Sequence, residues 1–465
     1  LRILLARPNS PLVVTPVPVG LGYLSHTVKK ERGDEVRVLD GRRLRLSVKD
    51  FVSKALSWSP DVIGFTAMSF EARETFEHIS RLKEAAPSVT VIWGGPHATG
   101  YGPELLEKCR ADYLVLGEGE RTLVHILDHL EGRDGLEDKK GVAYRSGEEI
   151  VYSGPPEPID EMESLEVDWE VLSPGSYFGF LQRNAMNTVA KSGKRLPLFF
   201  SRGCPFGCAY CHHIFGRKYR TFDVSRKVEE MIYLRDRYGV SEFEIIDDTF
   251  NLKLEHAKAA MQEIIDRKVG TALAFTNGLR ADRMDGELLG LMKRAGVYRI
   301  DYAIESATER IQKNIRKNLD LAKARETVNM TAAEKIVTGT YNMIGFPTET
   351  RKEMEKTVEF ALSLKNHISS FFCLMPFPGT EIAEADPETS KRVRQIDFHD
   401  ASSAVLNLSR ATDEEMAEIR KSAYRKFYFS PERMARIVRD VPKNARLLAS
   451  ALAVLQLSYK ELVNY

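Results

Sequence analysis

Three of the five cysteines stand within eight residues, in the run Ser201-Arg-Gly-Cys204-Pro-Phe-Gly-Cys208-Ala-Tyr-Cys211-His-His. The spacing is Cys-x3-Cys-x2-Cys. Thiolates are soft ligands that suit iron–sulfur clusters or zinc. Three thiolates around a four-iron cluster leave one iron open to a small chelating ligand. Zinc in a structural site wants four protein ligands, and His212 or His213 could be the fourth, so the spacing alone leaves both metals open. Cys109 and Cys373 occur singly and read as ordinary buried thiols.

The elements around this run narrow the choice. Apolar strand-like segments recur at residues 198–201, 242–246, 272–276, 299–304, 337–344 and 369–376, with helical stretches between them. In one of these, residues 255–268, Ala257, Ala260, Met261, Ile264 and Ile265 share a face, the spacing of an amphipathic helix. Six strand–helix repeats predict a partial barrel with its ligand-binding loops at the carboxyl ends of the strands. The cysteine run directly follows the first strand, a scaffold that a zinc ribbon does not need. Polar residues close the other strands: Asp247 and Asp248, then Asn277 to Arg280, Glu305 with Ser306, Gly345 to Glu349, and Pro376 to Thr380. For each alone, the competing explanation is a loop cap or a surface ion pair. Six strand ends in order argue against that explanation for the set. Only one of Asp247 and Asp248 can point inward along a strand.

Upstream, strand-like runs at 2–6, 35–39, 62–66, 90–93 and 113–116 alternate with helical stretches at 20–30, 48–58, 70–86, 103–108 and 120–129. This alternation predicts an α/β domain with a doubly wound, Rossmann-like parallel sheet, whose ligands bind outside the carboxyl ends of the strands. The loops there hold Asn9, Ser69, the run Gly94-Gly-Pro-His-Ala-Thr, and Gly117-Glu-Gly-Glu. Glycines let a bulky ligand approach the backbone, and hydroxyl groups can bind its polar rim. The competing explanation is an α/β domain that binds nothing.

The chain thus divides into residues 1–135, a linker at 136–196, a partial (β/α)6 barrel at 197–385 and a small helical C-terminal region at 386–465. The linker is rich in Gly, Pro and acidic residues, with a two-stranded element expected near 140–152. It is too long for a bare loop and should pack across both domains. In the tail, Thr412-Asp-Glu-Glu415 forms a capping box for a helix with Met416, Ile419, Ala423 and Phe427 inside. Further helices are expected around 431–439 and 445–463, closing the barrel bottom or shaping a substrate cavity.

A net charge of +1 gives no general signal for a nucleic-acid partner. No apolar run is long enough to cross a bilayer; the best, near 447–457, is short and broken by Ser450 and Gln456. The N-terminus runs into a strand without signal-peptide organisation. Cysteines grouped for a metal rather than a disulfide scaffold then point to a reducing, cytoplasmic location.

From about 197 to 384 the chain resembles the radical S-adenosylmethionine (SAM) family. The resemblance implies that Cys204, Cys208 and Cys211 hold a 4Fe–4S cluster whose open iron binds SAM. It places Tyr210 near the adenine, Asp247 or Asp248 at the amino group, Arg280 at the carboxylate, Glu305 and Ser306 at the ribose, and the Gly345 backbone beside SAM. Residues 18–24 (Pro-Val-Gly-Leu-Gly-Tyr-Leu), 94–99 and 117–120 look like the cobalamin-binding domain fused to many such enzymes. That implies contacts to cobalamin from Asn9, Ser69, Gly94, Gly95, His97, Ala98, Thr99, Gly117, Glu118 and Gly119. The Asp-x-His-x-x-Gly sequence that supplies a histidine to cobalt elsewhere is missing, so His97 is expected at the nucleotide tail or loop backbone rather than at cobalt.

The combination is similar to the magnesium-protoporphyrin ester cyclase-like and C-methylase enzymes. It implies methylation of an unactivated carbon through methylcobalamin and a 5′-deoxyadenosyl radical. The resemblance also implies a small-molecule or peptide substrate and an external low-potential electron donor of flavodoxin or ferredoxin type. No catalytic side chain is assigned. Oxidative cyclisation or rearrangement on the same scaffold, and a non-catalytic cobalamin-binding regulator, are the alternatives. An RNA-modifying methylthiotransferase would carry further N-terminal cysteines, and Cys109 is the sole cysteine there.

Overall fold

The computed structural model describes residues 1–10, 15–179, 189–396 and 406–442. The first domain is built on β1 (Arg2–Arg7), β2 (Glu35–Asp40), β3 (Val62–Thr66), β4 (Thr90–Gly94) and β5 (Tyr113–Val115). These pair in parallel in the order β2-β1-β3-β4-β5. Strands covered on both faces read as continuous apolar runs, and β1 shows why. Ile3 and Leu5 pack on one face with Leu21, Val28, Leu123 and Ile126 from the helices Val19–Arg32 and Gly119–Leu130. Leu4 and Ala6 pack on the other with Phe51, Ala55, Ile79 and Leu82 from Val48–Leu56 and Ala72–Ala85.

Two departures from expectation matter for the site. The hairpin of β6 (Val142–Ser146) and β7 (Glu149–Tyr152), expected inside the linker, joins β5 antiparallel and extends the sheet to seven strands. The stretch after β4, expected as an open loop, is the short helix Pro96–Tyr101. Pro96 stands at its first turn, where its missing N–H costs nothing and its fixed φ favours a helix.

The second sheet contains β8 (Arg195–Leu198), β11 (Glu242–Ile245), β12 (Ala272–Leu279), β13 (Val297–Glu305), β14 (Val337–Ile344) and β15 (Ile368–Cys373), parallel and in chain order. The small antiparallel stem of β9 (Ser201–Arg202) and β10 (Arg220–Thr221) stands beside it. The first strand lies at 195–198 instead of 198–201. Pro197 is tolerated because β8 is an edge strand. Helix Leu254–Asp266 buries Ala257, Ala260, Met261 and Ile264, while Ile265 is half-buried. Phe243, Phe275, Ile300 and Ile304 face the helices. On the inner face, Arg299 grips Asp301 at 2.8 Å, and the Tyr341 hydroxyl stands 2.9 Å from the Asp301 carboxylate. The barrel interior is therefore polar.

The linker packs across both domains. Trp169, Leu172 and Tyr177 are buried; Trp169 Nε1 donates to Glu230, and the Tyr177 hydroxyl donates to Asp40.

The tail helix Asp413–Tyr428 starts at the expected capping box and buries Met416, Ile419, Ala423 and Phe427. It lies along β15, where the Tyr424 and Tyr428 hydroxyls accept the Phe371 and Ser369 N–H groups at 3.1 and 3.2 Å. An open sheet edge needs such a cover. A second helix, Pro431–Asp440, follows; the helix expected at 445–463 lies outside the described residues.

Candidate active site at the facing strand ends

The three clustered cysteines sit on one loop, residues 203–219, whose stem is the β9–β10 pair. Gly203 has φ +84°, and a Cβ there would collide with the Lys218 carbonyl, so only glycine lets the loop turn. The loop is tied down from within and from the segment after β11. The Cys204 N–H donates to Gly216 O, and the Cys211 N–H to Cys208 O. The Thr249 hydroxyl donates to Cys204 Sγ at 3.2 Å.

The sulfurs sit in different electrostatic surroundings. A hydrogen bond from the Cys211 thiol, helped by Lys317 and Arg280, pulls the Cys208 thiol down to about 6 against the effect of burial. The same bond and burial push Cys211 up, and burial pushes Cys204 up. Three clustered thiols, with cations beside the most acidic one, fit an iron–sulfur cluster. The zinc alternative lacks its fourth ligand. His212 lies against the Phe377 ring, and His213 lies by Arg217 and Arg316.

Of the residues expected to touch SAM, four remain around the cysteine loop. Tyr210 is half-buried, shares a hydrogen bond with Cys208 and meets Phe346 edge-on at 5.7 Å. Glu305 ends β13 in the left-handed region at φ +67°, a strained conformation for a residue with a side chain. Its carboxylate lies 3.5 Å from Lys317 Nζ. Arg280 is held by Asp282 at 2.7 Å and lies 4.0 Å over the Phe206 ring. Gly345, at φ +92°, turns its N–H to the Glu349 carboxylate.

The other three hold the scaffold. Asp247 is wholly buried, accepting the Phe200 N–H at 2.8 Å and the Ser201 hydroxyl at 2.5 Å, and burial raises its carboxyl to about 7. Asp248 accepts the Gly203 N–H. Asp247 is thus engaged by the segment before the cysteine loop, while Asp248 binds Gly203 through one oxygen from an exposed position. Ser306 is buried against Thr308 and Thr357.

In the first domain, most residues expected at a corrin serve the chain itself. A Cβ on Gly117 would strike Pro156 at 2.6 Å, and one on Gly95 would strike the Thr66 hydroxyl at 2.5 Å. Close chain packing requires glycine at both positions. Gly94 and Gly119 pack against Val115. Ala98 is buried, and Thr99 Oγ1 bonds Gly95 O and the Gly117 N–H. Asn9 donates to Leu46 O. Glu118 turns away to Arg202 and Arg220.

His97 and Ser69 are different. His97 Nδ1 lies 3.2 Å from Ser69 Oγ, and its ring stacks on Trp93 at 5.6 Å. Burial, with His212 adding, lowers His97 to about 4, so it is neutral at pH 7. The Nε2 atom of His97 is buried without a partner, as are Ser10 Oγ, Trp93 Nε1 and Tyr101 Oη. Orphaned buried polar atoms are rare. Such atoms also occur elsewhere among the described residues, and these four are the ones that lie on or just beyond β1 and β4.

The two sets of loops face each other. A Cβ on Gly100 would lie 2.7 Å from His212 of the cysteine loop. Phe70 and Phe377 meet edge-on at 5.6 Å, and Arg394 donates to Tyr101 O. Sequence reasoning missed Thr249, Lys317, Arg202, Arg220 and the Phe70–Phe377 contact. Arg202, two residues before Cys204, carried the only local signal. A cavity of about 870 Å³ lies elsewhere, between His26, Trp169 and Lys227, and its lining carries the Lys29–Asp168 and Lys227–Glu230 ion pairs.

Comparison with known proteins agrees with this arrangement. Residues 198–361 match the radical SAM superfamily, and residues 12–127 match the B12 binding domain. The chain is 29% identical over 451 residues to an uncharacterized methyltransferase of Pyrococcus horikoshii, covering 93% of each chain. It is 28% identical over 451 residues to the cytidylyl-2-hydroxyethylphosphonate methyltransferase of Streptomyces wedmorensis, covering 84% of this chain and 83% of that one. Its fold is like that of the cobalamin-dependent SAM radical enzyme OxsB with aqua-cobalamin and SAM bound, at a TM-score of 0.75 and 14% identity, over 99% of this chain and 71% of that chain.

Proposed function

The chain belongs to the radical SAM enzymes that carry a B12-binding domain, and from that premise we propose that it methylates an unactivated carbon of a small molecule or peptide. The observation that carries this reading is the seam at Gly100, where the strand-end loops of the first domain meet the cysteine loop at His212. When bound, the cluster with SAM supplies a 5′-deoxyadenosyl radical, and the corrin supplies a transferable methyl group.

The chain's own part is to hold, orient and shield. Cys204, Cys208 and Cys211 ligate the cluster, with Lys317 and Arg280 favouring the Cys208 thiolate. Tyr210 and Phe346, with Leu374 and Ile382, form an apolar wall that keeps water from a reactive carbon radical. Tyr210, Arg280, Glu305 and Gly345 line the SAM pocket, while Asp247, Asp248 and Ser306 support it. His97 and Ser69 meet the corrin, with His97 neutral as a hydrogen-bonding group. The polar barrel interior of Arg299, Asp301 and Tyr341 favours a polar substrate over a wholly apolar one.

Electrons come from a flavodoxin or ferredoxin type donor, and the five free cysteines suit the reducing cytoplasm. The test is oxygen-free reconstitution with iron, sulfide and cobalamin, gel filtration, then product mass with candidate substrates. A co-eluting corrin band beside iron–sulfur absorption and a product heavier by one methyl unit is expected. A product lighter by two hydrogens replaces methylation with oxidative cyclisation.

A further inference from the structure

The stem of the cysteine loop contains an unfavourable pairing. Arg202 of β9 and Arg220 of β10 are directly opposite in antiparallel register, and both side chains are buried, at 2% and 4% exposure. Like charges facing each other across strands are destabilising, and buried charges are costly unless paired. The compensation comes from the other domain. Glu118, itself 1% exposed, places Oε2 3.0 Å from Arg202 Nη1 and Oε1 2.5 Å from Arg220 Nη2. Glu120 adds a contact to Arg202 at 2.8 Å.

We propose that Glu118 is the positioning residue that fixes the cysteine loop to the cobalamin-binding domain, its single carboxylate bridging the facing arginines of the loop's stem while Glu120 supplies the second negative charge. The consequences run along a short chain of bonds. Arg220, so held, donates to the Phe215 and Lys218 carbonyls at 2.7 and 3.2 Å. Its neighbour Gly216 accepts the Cys204 N–H at 3.3 Å. Arg202 is clamped between the Tyr23 and Phe215 rings, 4.5 and 4.9 Å away. Glu118 lies between Gly117, turned by Pro156, and the helix Gly119–Leu130, so the first domain sets its position. The geometry of the cluster ligands is thereby referred to the domain that faces them.

This inference rests on the functional reading only in naming the loop's load, and its test separates the two. Full-length wild type, E118Q, R220Q and E118Q/R220Q are compared by two measurements. The first is the iodoacetamide alkylation rate of Cys204, Cys208 and Cys211 in metal-free protein, read by peptide mass. The second is the rate at which a chelator strips iron from reconstituted protein.

Glutamine keeps the shape and removes the charge, so E118Q should raise both rates about tenfold or more, since it takes from buried Arg220 its carboxylate partner while Arg202 keeps Glu120. Cobalamin co-elution should persist. The double variant should be no worse than the worse single, the sign of a shared interaction. Unchanged rates with lost cobalamin co-elution would make Glu118 a corrin contact and overturn the proposal, as would strictly additive effects. If wild type takes up no iron, the functional reading fails while the alkylation ratios still decide this one. Should E118Q not accumulate in soluble form, E118D, with its charge kept but too short to reach both arginines, must give a raised alkylation rate; a wild-type rate overturns the proposal.

Discussion

Gly100 and Gly379 touch backbone to backbone: a Cβ on Gly379 would stand 2.5 Å from the Gly100 carbonyl oxygen and 2.7 Å from its Cα. This contact joins the helix after β4 to the loop after β15, so it sets how closely the two sets of strand ends approach. A side chain at position 100 must wedge them apart. Gly100→Val should leave SAM cleavage and corrin binding in place and lower product formation about a hundredfold, because small misplacements of reacting groups are costly. Equal loss of cleavage and product would show that the seam does not set this spacing.

Replacing any one of Cys204, Cys208 or Cys211 by alanine should abolish 5′-deoxyadenosine formation. Corrin should still co-elute, since the face of the first sheet that carries Trp93 and Ala98 has its own apolar cluster. Cleavage retained in any of the three would refute the cluster assignment.

The Thr249 hydroxyl donates to Cys204 Sγ. Hydrogen bonds to cluster sulfurs stabilise the more negative, reduced state and help set the potential. Thr249→Val should move the cluster midpoint in a redox titration to a more negative value, and Thr249→Ser should restore it. A Val variant at the wild-type potential would contradict this bond in the loaded protein.

Glu349 is buried and accepts the Gly345 and Phe346 N–H groups on one oxygen. Burial holds its carboxyl at about 7, above the ordinary 4.5. Between those values the folded protein keeps a proton that the unfolded chain releases. Its stabilising contribution is therefore full below 4.5 and is lost as pH rises through 7. Urea midpoints at about pH 5 and about pH 8 should show wild type losing stability relative to Glu349→Gln on going to the higher pH. Parallel midpoints would mean that Glu349 titrates normally.

Tyr424→Phe and Tyr428→Phe each leave one β15 N–H without its partner. Each should cost about 1–3 kcal/mol in urea unfolding, the penalty for an unsatisfied buried donor. No shift in midpoint would mean that water takes the place of the hydroxyl.

Much of the fold was legible because its signals are local. The runs at β1, β3 and β14 are apolar on both faces or alternate cleanly, and the box at Thr412 and Glu415 marks a helix start within four residues. The exceptions have physical causes. β8 began early because Pro197 is tolerated at a sheet edge. The run at 94–99 carries loop-like glycines, but Pro96 starts a helix. Glu118 and Asp247 sit at strand ends where a ligand contact was a fair expectation. Their partners are 84 and 47 residues away, and no local pattern reports them.

The sequence by itself determined the chemistry and the order of elements: three soft ligands on one loop, six strand–helix repeats behind them and a doubly wound sheet before. Ligand type, spacing and periodicity are properties of neighbouring residues, so they survive without a structure. Only the tertiary structure decided where the polar side chains at the strand ends point. It turned Asp247 and Asp248 into supports of the cysteine loop, gave the first domain's glycines to chain packing, and set Glu118 between Arg202 and Arg220. A side chain's direction at a strand end follows from the partner that best offsets its burial, and that partner is chosen by the packing of distant segments.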